Sequence, residues 1–225
     1  MAGEGVDSRA YSAPEPLAPG NTLGVRDLGL VDYGTTWRAM QAFTSTRDAS
    51  TVDEIWRLQH PAVYTLGLAG KSEHRLSENA IPLLKIDRGG QITYHGPGQL
   101  VLYLLLDLRR RGLGTRDLVR RIEESLLALL ASYGIGGETR SGAPGVYVEG
   151  AKIAALGLRV RHGCCYHGLA LNVAMDLAPF AAINPCGFPG LAVTQLSDLG
   201  IHDKIESVGA RLTACLASRL PAPRL

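Results

Sequence analysis

Long apolar runs are missing from this chain of 225 residues. Its most continuous one, Leu100 to Leu106, falls far short of the ~20 residues a helix needs to cross a hydrocarbon core, and charge follows at Asp107 and Arg109. No membrane association is therefore expected. Cysteine is scarce too: there are four, two of them adjacent at Cys164 and Cys165, which is not the dense spacing of a small disulfide-stapled secreted scaffold. Reduced thiols and a location in the cytoplasm follow as expectations. An excess of one charge is also lacking, because 23 basic against 21 acidic residues leave a formal charge of +2, so no nucleic-acid surface is expected.

Several signatures of chemistry are absent as well. The glycine-rich run at 88–99 neither ends in the Lys-Ser/Thr of a phosphate loop nor carries the glycine spacing of a dinucleotide fingerprint. No Gly-x-Ser-x-Gly elbow announces a serine hydrolase. The adjacent cysteines with His167 and Cys186 lack the Cys-x₂₋₄-Cys spacing of a zinc site, so neither a metal nor another cofactor is expected. The first 22 residues, rich in Ala, Pro and Gly without an apolar signal core, read as a flexible leader.

What is present suits one α/β domain over residues 23–218, followed by a C-terminal tail at 219–225. Hydrophobic residues make up 46% of the chain, enough for a substantial core. Trp37, Met40 and Phe43 recur at helical spacing, which predicts a helix over 34–47 with its aromatics in the core. Ile55–Leu58 and Val63–Leu66 read as adjacent strands around Pro61, and Leu83–Ile86 as another. The near-continuous run Leu100–Leu108 predicts a buried central strand. Thr115 is placed to cap a helix carrying Leu118, Ile122, Leu126 and Leu129 on one face, with Gly134 ending it. Strands are expected over 146–148, 152–160 and 169–173, and a last helix over 203–216 with Ile205, Val208, Leu212 and Leu216 on one face.

Three segments stand out chemically. Arg88–Gln99 crowds four glycines, Arg88, Tyr94 and His95 between apolar segments, reading either as a ligand loop or as a structural turn with a hydrogen-bonded His95. Lys152 is the one charge in the apolar stretch Gly150–Leu158, where burial is costly without a partner; its alternative is an edge position with the amine reaching water. Cys186 sits among turn formers in Asn184–Gly187, and a positive neighbour such as Lys152 would favour its thiolate; a buried structural thiol is the other reading. Arg109–Arg111 and Arg120–Arg121 read as solvated surface or as docking patches for an acidic partner.

Together, RGGQITYHGPGQ at 88–99, GAKIAALGLRV at 150–160, YHGLALNV at 166–173 and NPCG at 184–187 resemble the lipoyl(octanoyl) transferase family, over roughly residues 23–215. The resemblance implies an α/β fold, a mixed sheet with packed helices, shared with the catalytic domains of biotin and lipoate protein ligases. It implies octanoyl transfer from octanoyl-acyl carrier protein to a lysine amine on a lipoyl-accepting domain, in 2-oxoacid dehydrogenase E2 subunits or the glycine cleavage H protein. By the same resemblance Cys186 is the acyl-thioester nucleophile and Lys152 its activating partner. Substrate binding would fall to Arg88, Gly89, Gly90, Gln91, Ile92, Thr93, Tyr94 and His95, to Ala155, Leu156 and Gly157, and to Gly168, Leu169 and Ala170. His167 would give support.

Such a route starts from an activated thioester and needs neither ATP nor magnesium. An apolar crevice must receive the acyl tail, with Ala154, Ala155 and Leu156 as candidate wall. Two alternatives stand beside it: ATP-dependent lipoate or octanoate ligation on the same fold, and a non-catalytic lipoyl-domain binder.

Overall fold

A computed structural model describes residues 15–16 and 23–224. The leader expected at 1–22 lies outside the described residues apart from the two-residue strand β1 (Glu15–Pro16). In chain order there follow β2 (Leu23–Leu30), α1 (Tyr33–Ser45), β3 (Asp53–Gln59), β4 (Val63–Leu66), β5 (Leu83–Lys85), β6 (Ile92–His95) and β7 (Gln99–Asp107). The second half holds α2 (Thr115–Ala131), β8 (Glu138–Thr139), β9 (Gly145–Val148), β10 (Ala151–Arg161), β11 (Cys164–Asn172) and α3 (Ile205–Ala217). The result is a mixed α/β fold in which the main sheet runs β1-β2-β3-β7-β11-β10-β9-β8 and a small one runs β5-β4-β6.

The apolar run of β7 is explained by burial on both faces. Leu100, Leu102, Leu104 and Leu106 join the core formed with α2 and α3, whereas Val101, Tyr103 and Leu105 pack with Met40 of α1 and Trp56 of β3. On α2 the expected face of Leu118, Ile122, Leu126 and Leu129 is fully buried. On α3 Val208, Leu212 and Leu216 are buried, with Ile205 at the margin. The α1 terminus is held by Asp32, whose carboxylate accepts from Thr35 N at 2.8 Å.

Several expectations are corrected. The strands at 55–58 and 63–66 are not paired: β3 lies between β2 and β7, while β4 pairs with β5 and β6 in the other sheet. His60 causes the divergence, because its buried ring bonds to Val31 O and Tyr103 Oη, each at 2.7 Å, turning the chain before Pro61. Gly114, not Thr115, occupies the α2 cap, and no side chain bonds there; Thr115 is the first helical residue. β11 begins at Cys164, five residues before the expected start at 169, so the adjacent cysteines open the strand. The tail is tied to the body, with Leu220 in the core and Arg224 N donating to Arg110 O at 2.7 Å.

Candidate active site

The Arg88–Gln99 run joins the two sheets, since its middle forms β6 of the small sheet and its last residue starts β7 of the large one. Beyond Ala155 the edge of β10 has no further partner from β9, and the glycine loop occupies it: Gly89 N donates to Leu158 O at 2.9 Å. Gly157 makes the fit, because a β-carbon there would stand 2.9 Å from Arg88 Cδ. The arginine stem thus lies across β10, and its guanidinium is anchored on Thr65 by bonds of 2.7 and 2.8 Å.

Loop and sheet enclose a cavity of about 350 Å³. Its walls include Arg88–Thr93 and His95, Ala155–Gly157, Gly168–Ala170, Lys152 and Cys186, so the four sequence segments converge on one space. Two expected members stand apart. Tyr94 packs in the small-sheet core, its ring 5.5 Å from Tyr64 and 5.4 Å from Phe180, because alternation along β6 turns it away from its neighbours Thr93 and His95. Ala154 faces the main core with Ile153, leaving Ala155 and Leu156 as the wall.

Lys152 and Cys186 meet although 34 residues separate them. Lys152 Nζ donates to Cys186 Sγ at 3.2 Å and to Pro144 O at 3.0 Å, and the lysine is only 4% exposed, which rules out its edge-position reading. A register shift in β10 between Lys152 and Ala154 marks the place. Gly145 gives the amine room, since a β-carbon there would lie 2.9 Å from Lys152 Cε. Backbone bonds from Lys152 N to Ala192 O and from Thr194 N to Lys152 O bring the cysteine-bearing segment alongside. Upstream of the cysteine, Asn184 N donates to His74 O at 2.8 Å. Cys186 itself adopts φ 57°, a left-handed conformation uncommon for a side-chain-bearing residue and concentrated at functional turns.

The histidines divide the cavity further. His95 is fully enclosed, its Nδ1 2.7 Å from Gln99 Oε1, and burial drives its pKa well below the ordinary value, so it is a neutral wall. His167 Nε2 lies 3.1 Å from Asp87 Oδ1. Asp87 was not anticipated. Burial pushes its carboxyl up, but hydrogen bonds from His167, Tyr166, Gln41 and Trp37 outweigh that and hold it well below the usual range. Its position beside Arg88 was the available signal. Tyr33, Tyr103 and Phe188 also line the cavity unforeseen; the lone phenol in the apolar run of β7 was the clue for Tyr103.

The arginine patches are divided, with Arg109 and Arg120 exposed and the other three turned to internal partners. Arg110 and Arg111 both bond Asp53, and Arg121 donates to Arg219 O. Among the described residues no group of three or more His, Cys, Asp or Glu is arranged to hold a metal, and no helix is long and apolar enough to cross a membrane.

This architecture is that of the lipoate- and biotin-protein ligases. A lipoate protein ligase of Thermoplasma acidophilum superposes with a TM-score of 0.67 at 17% identity, covering 85% of this chain and 82% of that one. Biotin protein ligase from Aquifex aeolicus gives 0.54 at 11% identity, covering 87% and 69%. More specifically, the family model for the lipoyl protein ligase A/B catalytic domain matches residues 32–217, and the chain belongs to that family. It is similar to the octanoyltransferase of Thiobacillus denitrificans, 62% identical over 89% of this chain and 92% of that protein. The octanoyltransferase of Aromatoleum aromaticum is 59% identical over 98% and 95%.

Proposed function

We propose that this protein is an octanoyltransferase of protein lipoylation that carries its acyl group on Cys186. The observation that carries the reading is the 3.2 Å Lys152–Cys186 contact at the wall of a small-residue trough, in a chain about 60% identical to octanoyltransferases. The lysine ammonium stabilises the thiolate, which attacks the thioester of octanoyl-acyl carrier protein. The carrier sulfur departs and takes the proton of Lys152. An acceptor lysine entering as the free amine then attacks the Cys186 thioester, returns a proton to Lys152 and releases the thiolate, so the cycle closes with the pair restored.

The acceptors are lipoyl domains, those of 2-oxoacid dehydrogenase E2 subunits and the glycine cleavage H protein, and the setting is the cytoplasm, where four free thiols are at home. ATP-dependent ligation is disfavoured by chemistry: activation through an acyl adenylate gives a cysteine beside a buried lysine nothing to do.

Intact mass spectrometry tests the route. Incubation with octanoyl-acyl carrier protein and no ATP is expected to add one octanoyl group at Cys186, lost again as a lipoyl domain gains the same mass. Cys186→Ser should abolish the adduct and lower transfer by on the order of a thousandfold. Transfer that appears only with ATP and free octanoate rejects the reading.

A further inference from the structure

When a thiolate adds to an acyl carbonyl, the sulfur–carbon bond forms and the π pair moves onto the carbonyl oxygen, so a donor fixed beside that oxygen lowers the barrier. Lys152 already serves the Cys186 sulfur and Pro144 O. The amides that follow the sulfur are engaged within their own turn: Gly187 N donates to Asn184 O at 2.9 Å and Phe188 N to Pro185 O at 3.1 Å. Attention therefore passes to the wall that faces them.

That wall is β6, which packs on the turn of Pro185–Gly187. Gln91, just ahead of the strand, comes so close that a β-carbon on Gly187 would stand 2.9 Å from Gln91 Cγ. Alternation puts Thr93 and His95 on the same face, and all three line the cavity. Thr93 also borders a second space of about 10 Å³, no roomier than one water needs, which it shares with Lys152, Ala155, Pro185 and Cys186. It therefore stands at the junction of cavity and catalytic pair.

The state of its hydroxyl is unusual. Thr93 is 8% exposed, yet no described residue hydrogen-bonds its Oγ1. Nor is that oxygen sealed into the protein, as the unpartnered hydroxyls of Thr44 and Thr213 are. His95, two residues on, has both ring nitrogens engaged, by Gln99 and Thr65. A hydroxyl this buried normally has a partner. Here the partner is one that enters with the substrate.

We infer that Thr93 is a catalytic residue whose hydroxyl donates to the acyl carbonyl oxygen as it becomes an oxyanion at Cys186, a role that rests on the acyl-enzyme reading above. The hydroxyl keeps its proton throughout. In the first half-reaction the oxygen takes the π pair as sulfur adds, and the pair returns as the carrier sulfur leaves with the proton of Lys152. In the second the acceptor amine adds to the same carbon, the same oxygen is charged again, and Cys186 departs as the thiolate while the amine proton passes to Lys152. Both half-reactions draw on one donor.

The test measures two reactions of Cys186 in the unsubstituted protein and in Thr93→Val, Thr93→Ala and Thr93→Ser. Single-turnover acylation by octanoyl-acyl carrier protein, read by intact mass, passes through an oxyanion; alkylation by iodoacetamide, a displacement at a methylene carbon, does not. Valine keeps the branched shape and removes a hydroxyl that bonds nothing in the protein, so the fold should survive, as thermal melting will verify, and alanine provides a second variant without the hydroxyl. Acylation should fall about a hundredfold in both, the usual loss for one oxyanion donor, while alkylation stays within about twofold of the parent. Thr93→Ser restores a donor and should acylate within about fivefold of the parent. Acylation reduced less than about threefold in Val and Ala overturns the assignment, as does a parallel loss of alkylation or a serine variant as slow as valine. If the unsubstituted protein itself forms no Cys186 adduct, the acyl-enzyme reading fails and the role of Thr93 with it; adducts formed equally fast without the hydroxyl reject Thr93 alone.

Discussion

Two buried cationic clusters on the main sheet answer their charge in opposite ways. Around Asp53, itself fully buried, three guanidiniums gather from Arg47, Arg110 and Arg111, and a fourth bond comes from Asp107 N at 2.9 Å. The same arginines donate to the carbonyls of Leu105, Thr51 and Pro221, so they lace β3, β7 and the C-terminal segment together. Lys152 is equally buried but meets no carboxylate in its hydrogen bonds: its partners are one carbonyl and the Cys186 sulfur. Charge locked onto a carboxylate by three guanidiniums serves the fold. Charge facing a thiol is the arrangement that the proposed acyl transfer uses.

The strongest way to break this contrast is Asp53→Asn. Three guanidiniums would lose their anion in a site closed to water, and a loss of about 3–5 kcal/mol is expected, measured by chemical denaturation. Transfer activity per folded molecule should stay near that of the unsubstituted protein. A variant as stable as the parent would show that the cluster holds nothing together.

Lys152→Met should do the reverse. Methionine removes a buried cation while keeping an unbranched stem, so the melting temperature should hold or rise. Alkylation of Cys186 by iodoacetamide near neutral pH and single-turnover acylation should each fall about a hundredfold, a typical loss for a positioned proton-handling group. Should alkylation keep its rate and pH profile, Lys152 is not the activating partner, and the contrast between the two clusters collapses.

Much of this was legible in the sequence, for identifiable reasons. The apolar run of β7 and the helical faces of α2 and α3 follow from periodicity alone, because burial on two sides or one leaves that imprint directly. Lys152 was legible because a charge in an apolar strand violates the pattern around it. Less visible was anything set by long-range geometry. That Val63–Leu66 leaves the main sheet depends on His60 finding Val31 and Tyr103, contacts 29 and 43 residues away. Asp87 is marked by no pattern in the sequence, and four hydrogen-bond donors from α1 and β11 converge on it only after folding. Tyr94 shares a motif with cavity residues yet faces the other way, since a motif records proximity in the chain and not the side of a strand.

His60 extends the contrast to a buried group that avoids charge altogether. Burial pushes its pKa down to about 4, only partly opposed by the bond to Val31 O. The neutral ring fits its surroundings, donating from Nδ1 to that carbonyl and accepting from Tyr103 Oη at Nε2. Above about pH 6.5 the ring is neutral in both folded and unfolded chains and costs nothing. Below that value the unfolded chain takes up a proton that the folded one refuses, so stability falls with pH until the folded ring itself titrates near 4. From pH 6.5 to 5 this one group should remove up to roughly 2 kcal/mol, and the more strongly depressed His95 acts in the same direction. Urea denaturation at pH 7.5 and 5 in parent and His60→Gln isolates the contribution, because glutamine does not titrate. The pH-dependent loss should shrink by that amount in the variant; an identical loss in both would mean that the folded ring takes up its proton as readily as the unfolded one, and that burial does not hold His60 neutral.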